Sequence, residues 1–180
     1  MAAPGDDVAA LVTELTAAGE TLTCAESLTA GLLAATIADV PGASLVLRGG
    51  VVSYAADLKV TLLGVPADLI AQCGTVDPRV AAAMAEGVRD RLGSTWGLAT
   101  TGVAGPGPSE GKPAGTVHVA VAGPVGTRTA DLRLTGGRGE VRTATVAALV
   151  ALALEQTRRE HQTPAAPTVL GGTVGTDAPR

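Results

Sequence analysis

Ser27 stands in the stretch TCAESLTAG (residues 23–31), between the acid Glu26 and a run of small residues that opens an apolar helical pattern. A serine hydroxyl becomes a nucleophile when a base takes its proton and when backbone N–H groups await the oxyanion that forms. A helix N-terminus supplies such N–H groups. The same hydroxyl, or that of Thr29, serves equally well as an ordinary helix cap, and the local sequence leaves both readings open. Histidine is the usual partner of a serine nucleophile, but His118 lies in a valine-rich strand pattern and His161 borders the C-terminal tail. Lysine works as a base once desolvated or set near other cations. The chain has two lysines, Lys59 and Lys112. Lys59 closes the segment SYAADLK, which also holds the sole tyrosine, Tyr54. The plain alternative is an exposed helix lysine and a strand-filling tyrosine.

Two further segments could hold an anion. VAGPGPSEGKPAG (residues 103–115) invites comparison with a phosphate-binding P-loop and fails it. Pro106 stands where the first glycine belongs, and Pro113 where Ser or Thr should follow the lysine. Its unobstructed N–H groups could still cradle a phosphate or carboxylate; a surface turn is the other reading. GGRGEVR places Arg138 and Arg142 one turn apart at a helix start. Cations are unfavourable there unless an anion binds, although two solvated arginines remain the simpler account.

These segments need elements to position them. Val8, Leu11, Val12 and Leu15 mark one face of a helix that stops at Gly19. ETLTCAE reads as a strand, and Leu32 to Val40 as a helix ended by Pro41-Gly42. SLVLRGGVVSYA is a strand with a bulge at Gly49-Gly50. Two short helices follow, around Leu58–Leu63 and in PADLIAQCG, with Pro66 in the first turn of the second. Asp77-Pro78 is an N-cap with an N1 proline, opening a helix that ends at Gly93. TWGLATTG is a strand; TVHVAVAG and TRTADLRLTG are further strands turning at Gly123–Gly126; a long helix follows. Interleaved helices and strands predict an α/β fold, a three-layer α/β/α sandwich with at least one antiparallel strand. Ligands in such folds sit at the carboxyl ends of strands, where the Ser27 segment and the glycine-rich loop fall. The expected division is one domain over residues 1–160 and a disordered tail over 161–180.

Composition removes several functions. With no Phe, one Trp and one Tyr, the 46% hydrophobic content is Val, Leu, Ile and Ala, and a base-stacking surface is nearly excluded. Thirteen basic against seventeen acidic residues argue against direct nucleic-acid binding. Cys24 and Cys73 lack zinc-site spacing, so no metal is expected, and isolated cysteines fit a reducing compartment. The N-terminus lacks a signal-peptide pattern and no apolar run is long enough to span a bilayer. A cytoplasmic protein without membrane contact is expected.

Taken in order, TCAESLTAGLLAATIADVPGAS, RGGVVSYAADLKVTLLGV, GTVDPRVAAAMAEGVR, TTGVAGPGPSEGKPAGTVHVAV and GGRGEVRTATVAAL resemble the C-terminal domain of the CinA family, over about Val8 to Glu160. The resemblance implies a three-layer α/β/α fold with a mixed, mostly parallel sheet. It implies a nicotinamide-nucleotide amidase, hydrolysing the carboxamide of nicotinamide mononucleotide (NMN) to nicotinate mononucleotide and ammonia without a cofactor. Ser27 would be the nucleophile and Lys59 the base, assisted by Tyr54 and Arg138, with Arg142 the alternative arginine. Substrate contacts would come from Glu26, Thr29, Gly31, Thr101, Gly102, Ala104, Gly105 and Arg142. Leu28, Ala30 and Gly137 depart from the family pattern, which has Cys, Gly and an acid there. The family also occurs fused to a nucleotide-binding domain; this chain begins at the amidase-like region, so a stand-alone form is expected. The expected partners are a small-molecule substrate and copies of the same chain. Two other readings stay open: a non-catalytic ligand-binding module, and an amidase for another pyridine or pterin-like nucleotide.

Overall fold

Val8, Leu11, Val12 and Leu15 are buried along one face of α1 (Pro4–Ala18), and Gly19 then takes a left-handed φ of 66° that ends the helix. The computed structural model describes residues 4–162. Next come β1 (Leu22–Glu26), α2 (Leu32–Ala38), a 3-10 turn (Ala43–Leu45), β2 (Leu47–Val52), α3 (Ala56–Leu63), α4 (Ala67–Cys73) and α5 (Pro78–Leu92). The chain continues through β3 (Trp96–Gly102), β4 (Thr116–Ala122), β5 (Thr127–Arg133) and α6 (Arg138–Gln162). The helix therefore runs past residue 160, and the rest of the expected tail lies outside the described residues.

Every expected element is present. The bulge in β2 falls one residue early: Leu47 pairs with Leu22 and Gly49 with Thr23, so Arg48 is the extra residue. Pro66 caps α4 instead of sitting inside its first turn.

The five strands are ordered β2-β1-β3-β4-β5. β1 pairs parallel with β2 and β3, whereas β3–β4 and β4–β5 pair antiparallel. The sheet is mixed, and β4 alone runs against the other four. From β1 the chain crosses through α2 to β2 on one side, then back through α3, α4 and α5 to β3 on the other. Right-handed crossovers taken in opposite directions must lie on opposite faces. That rule puts α2, with α1 and α6, on one face and α3–α5 on the other. It also opens a crevice at the carboxyl ends of β1 and β3, where the strand order reverses.

The two faces are packed differently. Leu33, Ile37, Leu149 and Val150 bury against Leu22, Cys24, Trp96, Leu98 and Val119. The opposite face of the sheet presents Ala25, Ala99, Ala120 and Ala122, small side chains over which Val80, Met84 and Val88 of α5 pack. Gly87 brings α3 in as well: a Cβ there would overlap the carbonyl oxygen of Leu63 at the end of α3. This close approach seats the helix that carries Lys59.

Candidate active site

β1 ends on Glu26, and the next residue keeps the strand's register, with Ser27 N–H donating to the Thr100 carbonyl at 3.1 Å. The chain then turns, with Ala30 N–H donating to the Ser27 carbonyl at 3.2 Å, and α2 starts behind Gly31, which has φ 93°. Neither Ser27 nor Thr29 caps this helix. The cap is Glu26, 1% exposed, whose carboxylate accepts from Gly31 N–H (2.9 Å), Leu33 N–H (3.0 Å) and Ala34 N–H (2.9 Å). Strand alternation is the reason. Leu22, Cys24 and Glu26 point to the α2 face, so the acid sits under the helix start, and Ser27 turns to the face of α3. α2 has seven residues and would be marginal alone. Three charge-assisted bonds and the burial of Leu33 and Ile37, about 1.5–3 kcal/mol each, hold it in place.

Two more contacts fix the turn. The Thr29 hydroxyl meets that of Thr100 at 2.8 Å, fully buried. Arg142 donates from Nε to the Leu28 carbonyl at 3.1 Å and from Nη2 to the Thr29 carbonyl at 2.6 Å. The Ser27 hydroxyl is left for another task.

That hydroxyl lies 3.0 Å from Nζ of Lys59. Lys59 is 1% exposed, so the reading of it as a solvated helix residue is corrected. Its Nζ also donates to the Ser53 carbonyl (2.6 Å) and the Tyr54 carbonyl (3.4 Å). Two carbonyls thus engage two N–H groups, and the third tetrahedral direction points at Ser27. In the ammonium form that direction carries a proton; in the neutral amine it carries the lone pair, which can accept the serine proton. Burial lowers the Lys59 pKa from 10.5 to about 8, outweighing the nearby Glu110 charge, which acts to raise it.

Ser27 opens onto a cleft of about 440 Å³, a size suited to a small-molecule ligand. Its walls are Leu28, Tyr54, Arg138, the Gly102–Gly105 segment, and Glu110 with Thr75 and Val76. Tyr54 is 55% exposed, not a strand filler. Its hydroxyl accepts from Arg138 Nη2 at 2.7 Å, while Nη1 of Arg138 donates to the Gly105 carbonyl at 3.0 Å. Gly102 is required by a close approach, since a Cβ would stand 2.7 Å from the Thr116 carbonyl. Beyond it, the N–H groups of Ala104, Gly105 and Gly107 have no protein acceptor among the described residues.

Glu110 straps the loop tip to the chain before α5. It accepts from Thr75 N–H (2.7 Å), the Thr75 hydroxyl (2.6 Å) and Val76 N–H (3.4 Å). Lys112 donates to the carbonyls of Val76 and Cys73. Partial burial pushes the Glu110 pKa up, but these N–H and O–H donors, with Lys112, hold it below the usual carboxylate range.

Ser27, Lys59, Tyr54, Arg138, Gly102, Ala104 and Gly105 come together as expected. Glu26, Thr29, Gly31, Thr101 and Arg142 stand outside the lining of the cleft. Glu26 and Gly31 start α2, the Thr101 hydroxyl donates to the Thr75 carbonyl at 2.7 Å, and Thr29 and Arg142 brace the turn. Sequence reasoning missed the Ser53 carbonyl, Thr100 and Glu110. A carbonyl leaves no sequence signal, but an acid inside a glycine-rich loop was a visible one. His118 is a packed strand residue, its Nδ1 at 2.7 Å from Asp131 on the neighbouring strand.

These features define a class: a three-layer α/β/α domain with a buried serine–lysine pair at the crevice where a parallel strand order reverses. The chain belongs to the CinA C-terminal domain family, whose model matches residues 6–158. It is 59% identical over 130 residues to a CinA-like protein of Frankia casuarinae, covering 72% of this chain and 30% of that one. It is 52% identical over 136 residues to a putative competence-damage inducible protein of Desulforamulus reducens, covering 76% and 33%. The chain thus spans about a third of the length of these curated relatives. Among solved structures, it is similar to the competence/damage inducible protein CihA of Agrobacterium tumefaciens, with TM-score 0.80 and 33% identity over 87% of this chain and 100% of that one. The competence damage-inducible protein A of Klebsiella pneumoniae gives TM-score 0.85 and 29% identity over 90% and 100%. Among the described residues, no helix is long and apolar enough to cross a membrane.

Proposed function

We propose that this domain is an amidase that hydrolyses the carboxamide of NMN to nicotinate mononucleotide and ammonia. One observation carries the reading: a lysine, buried and of lowered pKa, whose amine stands 3.0 Å from a serine hydroxyl at the floor of a cleft. Neutral Lys59 takes the proton as Ser27 Oγ attacks the carboxamide carbon. The N–H group of Leu28, a residue that lines the cleft and whose amide has no protein acceptor among the described residues, receives the oxyanion. Protonated Lys59 returns its proton to the departing nitrogen, the C–N bond breaks and ammonia leaves. Water, deprotonated by the same lysine, hydrolyses the acyl-enzyme to the carboxylate and restores Ser27. Arg138 and the free N–H groups of Ala104, Gly105 and Gly107 offer a seat for the phosphate. Tyr54 fixes the Arg138 guanidinium and faces the ring.

The test is ammonia release from NMN by the wild type, Ser27→Ala and Lys59→Ala. Loss of turnover in both variants is expected; undiminished turnover in either removes that residue from the mechanism. Calorimetry with NMN completes it, because binding without turnover in the wild type would make the domain a ligand-binding module.

A further inference from the structure

We infer that Arg142 is a positioning residue that aims and polarises the amide receiving the oxyanion, and is not a phosphate ligand. The inference rests on the serine-hydrolase reading of Ser27. Arg138 and Arg142 lie one turn apart at the start of α6, yet they do different things. Arg138 lines the cleft, whereas Arg142 lies behind the nucleophile's turn, with two N–H groups on consecutive carbonyls, those of Leu28 and Thr29.

In a trans peptide the N–H points away from the C=O of the same unit. The Thr29 carbonyl shares its peptide with the N–H of Ala30. Drawing that carbonyl to the guanidinium therefore turns the Ala30 N–H away from Arg142, and it donates to the Ser27 carbonyl at 3.2 Å. The Ser27 carbonyl in turn shares its peptide with the N–H of Leu28 and so sets the direction of that amide. The Leu28 N–H, on a residue that lines the cleft, is without a protein acceptor among the described residues. A cation on a peptide's oxygen also withdraws electron density from its nitrogen and strengthens the N–H as a donor, by the same cooperativity that runs along hydrogen-bond chains. Glu26 completes the frame from the other end, with its carboxylate on the N–H groups of Gly31, Leu33 and Ala34. The turn is held by an acid on its amides and an arginine on its carbonyls, so its dipoles cannot relax when charge develops at Ser27.

The experiment compares wild type, Arg142→Ala and Arg142→Lys on NMN and on its dephosphorylated nucleoside. Losing an oxyanion donor lowers kcat about 100-fold or more. Arg142→Ala is expected to lower kcat by such a factor on both compounds alike, leaving the ratio of their KM values unchanged. Arg142→Lys, which can reach one carbonyl, should recover part of the rate. A rise in KM confined to the phosphorylated compound would make Arg142 a phosphate ligand and overturn the inference, as would an unchanged kcat. A substrate-independent readout is the rate at which a fluorophosphonate probe labels Ser27, with folding of each variant checked by circular dichroism. Slower labelling in Arg142→Ala is expected, while labelling at the wild-type rate, or none in the wild type, overturns the inference. A wild type that is labelled yet releases no ammonia from NMN would overturn only the assigned substrate.

Discussion

Titration tests the lysine base directly. Burial holds Lys59 at a pKa of about 8 in place of 10.5, and only its neutral amine can accept the Ser27 proton. Roughly one lysine in ten is then neutral at pH 7, against about one in 3,000 for the ordinary value, a gain of about 300-fold in competent protein. Below pH 8, kcat/KM for ammonia release should climb about tenfold per pH unit, and above it the profile should level off. The shift also governs stability. An unfolded chain keeps the Lys59 proton until pH 10.5, while the folded chain releases it near 8. The burial penalty is therefore present in full below pH 8 and is relieved as the pH rises toward 10.5, by about 3 kcal/mol in all. Lys59→Met keeps the length and removes the charge. It should abolish ammonia release, and urea unfolding of the variant should lose the gain in stability that the wild type shows between pH 8 and 10.5. A rate profile that inflects at pH 10 or above, or stays flat from pH 6 to 9, would refute a desolvated Lys59 as the base.

Other perturbations probe the frame around Ser27. Glu26→Gln places an amide NH₂ among three backbone donors and should destabilise the fold by about 2–4 kcal/mol, read as a lower urea midpoint. Ala30 has φ 49°, the left-handed region that penalises a Cβ by about 1–2 kcal/mol. Ala30→Gly should raise the unfolding free energy by about 0.5–1 kcal/mol once the extra freedom of an unfolded glycine is subtracted; a fall in stability would mean that the Ala30 methyl makes a contact worth more than the strain.

Local signals in the sequence were read well where the chemistry is local. Asp77 caps α5 through Arg79 N–H at 2.9 Å with Pro78 at the first helical position, as the dipeptide implies. The β4–β5 hairpin turns at Gly123 and Gly126 as expected. The cap of α2 was not foreseen because serine and threonine next to a helix start are the usual caps, whereas Glu26 reaches across five to eight residues from the end of a strand. Its availability depends on strand alternation and on which face α2 crosses, both tertiary facts. The burial of Lys59 was equally hidden, since α3 has no polar-to-apolar contrast that would turn position 59 inward. The resemblance to a known family supplied the role of Lys59 as a base, not its burial. Arg142 was read as an anion ligand because a cation at a helix start looks unpaired in sequence; its partners are carbonyls 114 and 113 residues away.

That separation has a temporal side. Ser27 and Lys59 are 32 residues apart and belong to the first half of the chain, so a nascent polypeptide contains both before α6 exists. At about 5–20 residues per second, Arg142 follows Lys59 by on the order of ten seconds. During that interval the turn after Ser27 lacks the arginine that holds its Leu28 and Thr29 carbonyls. On the proposed reading, the half-made chain has no frame for chemistry at Ser27 until α6 has been made.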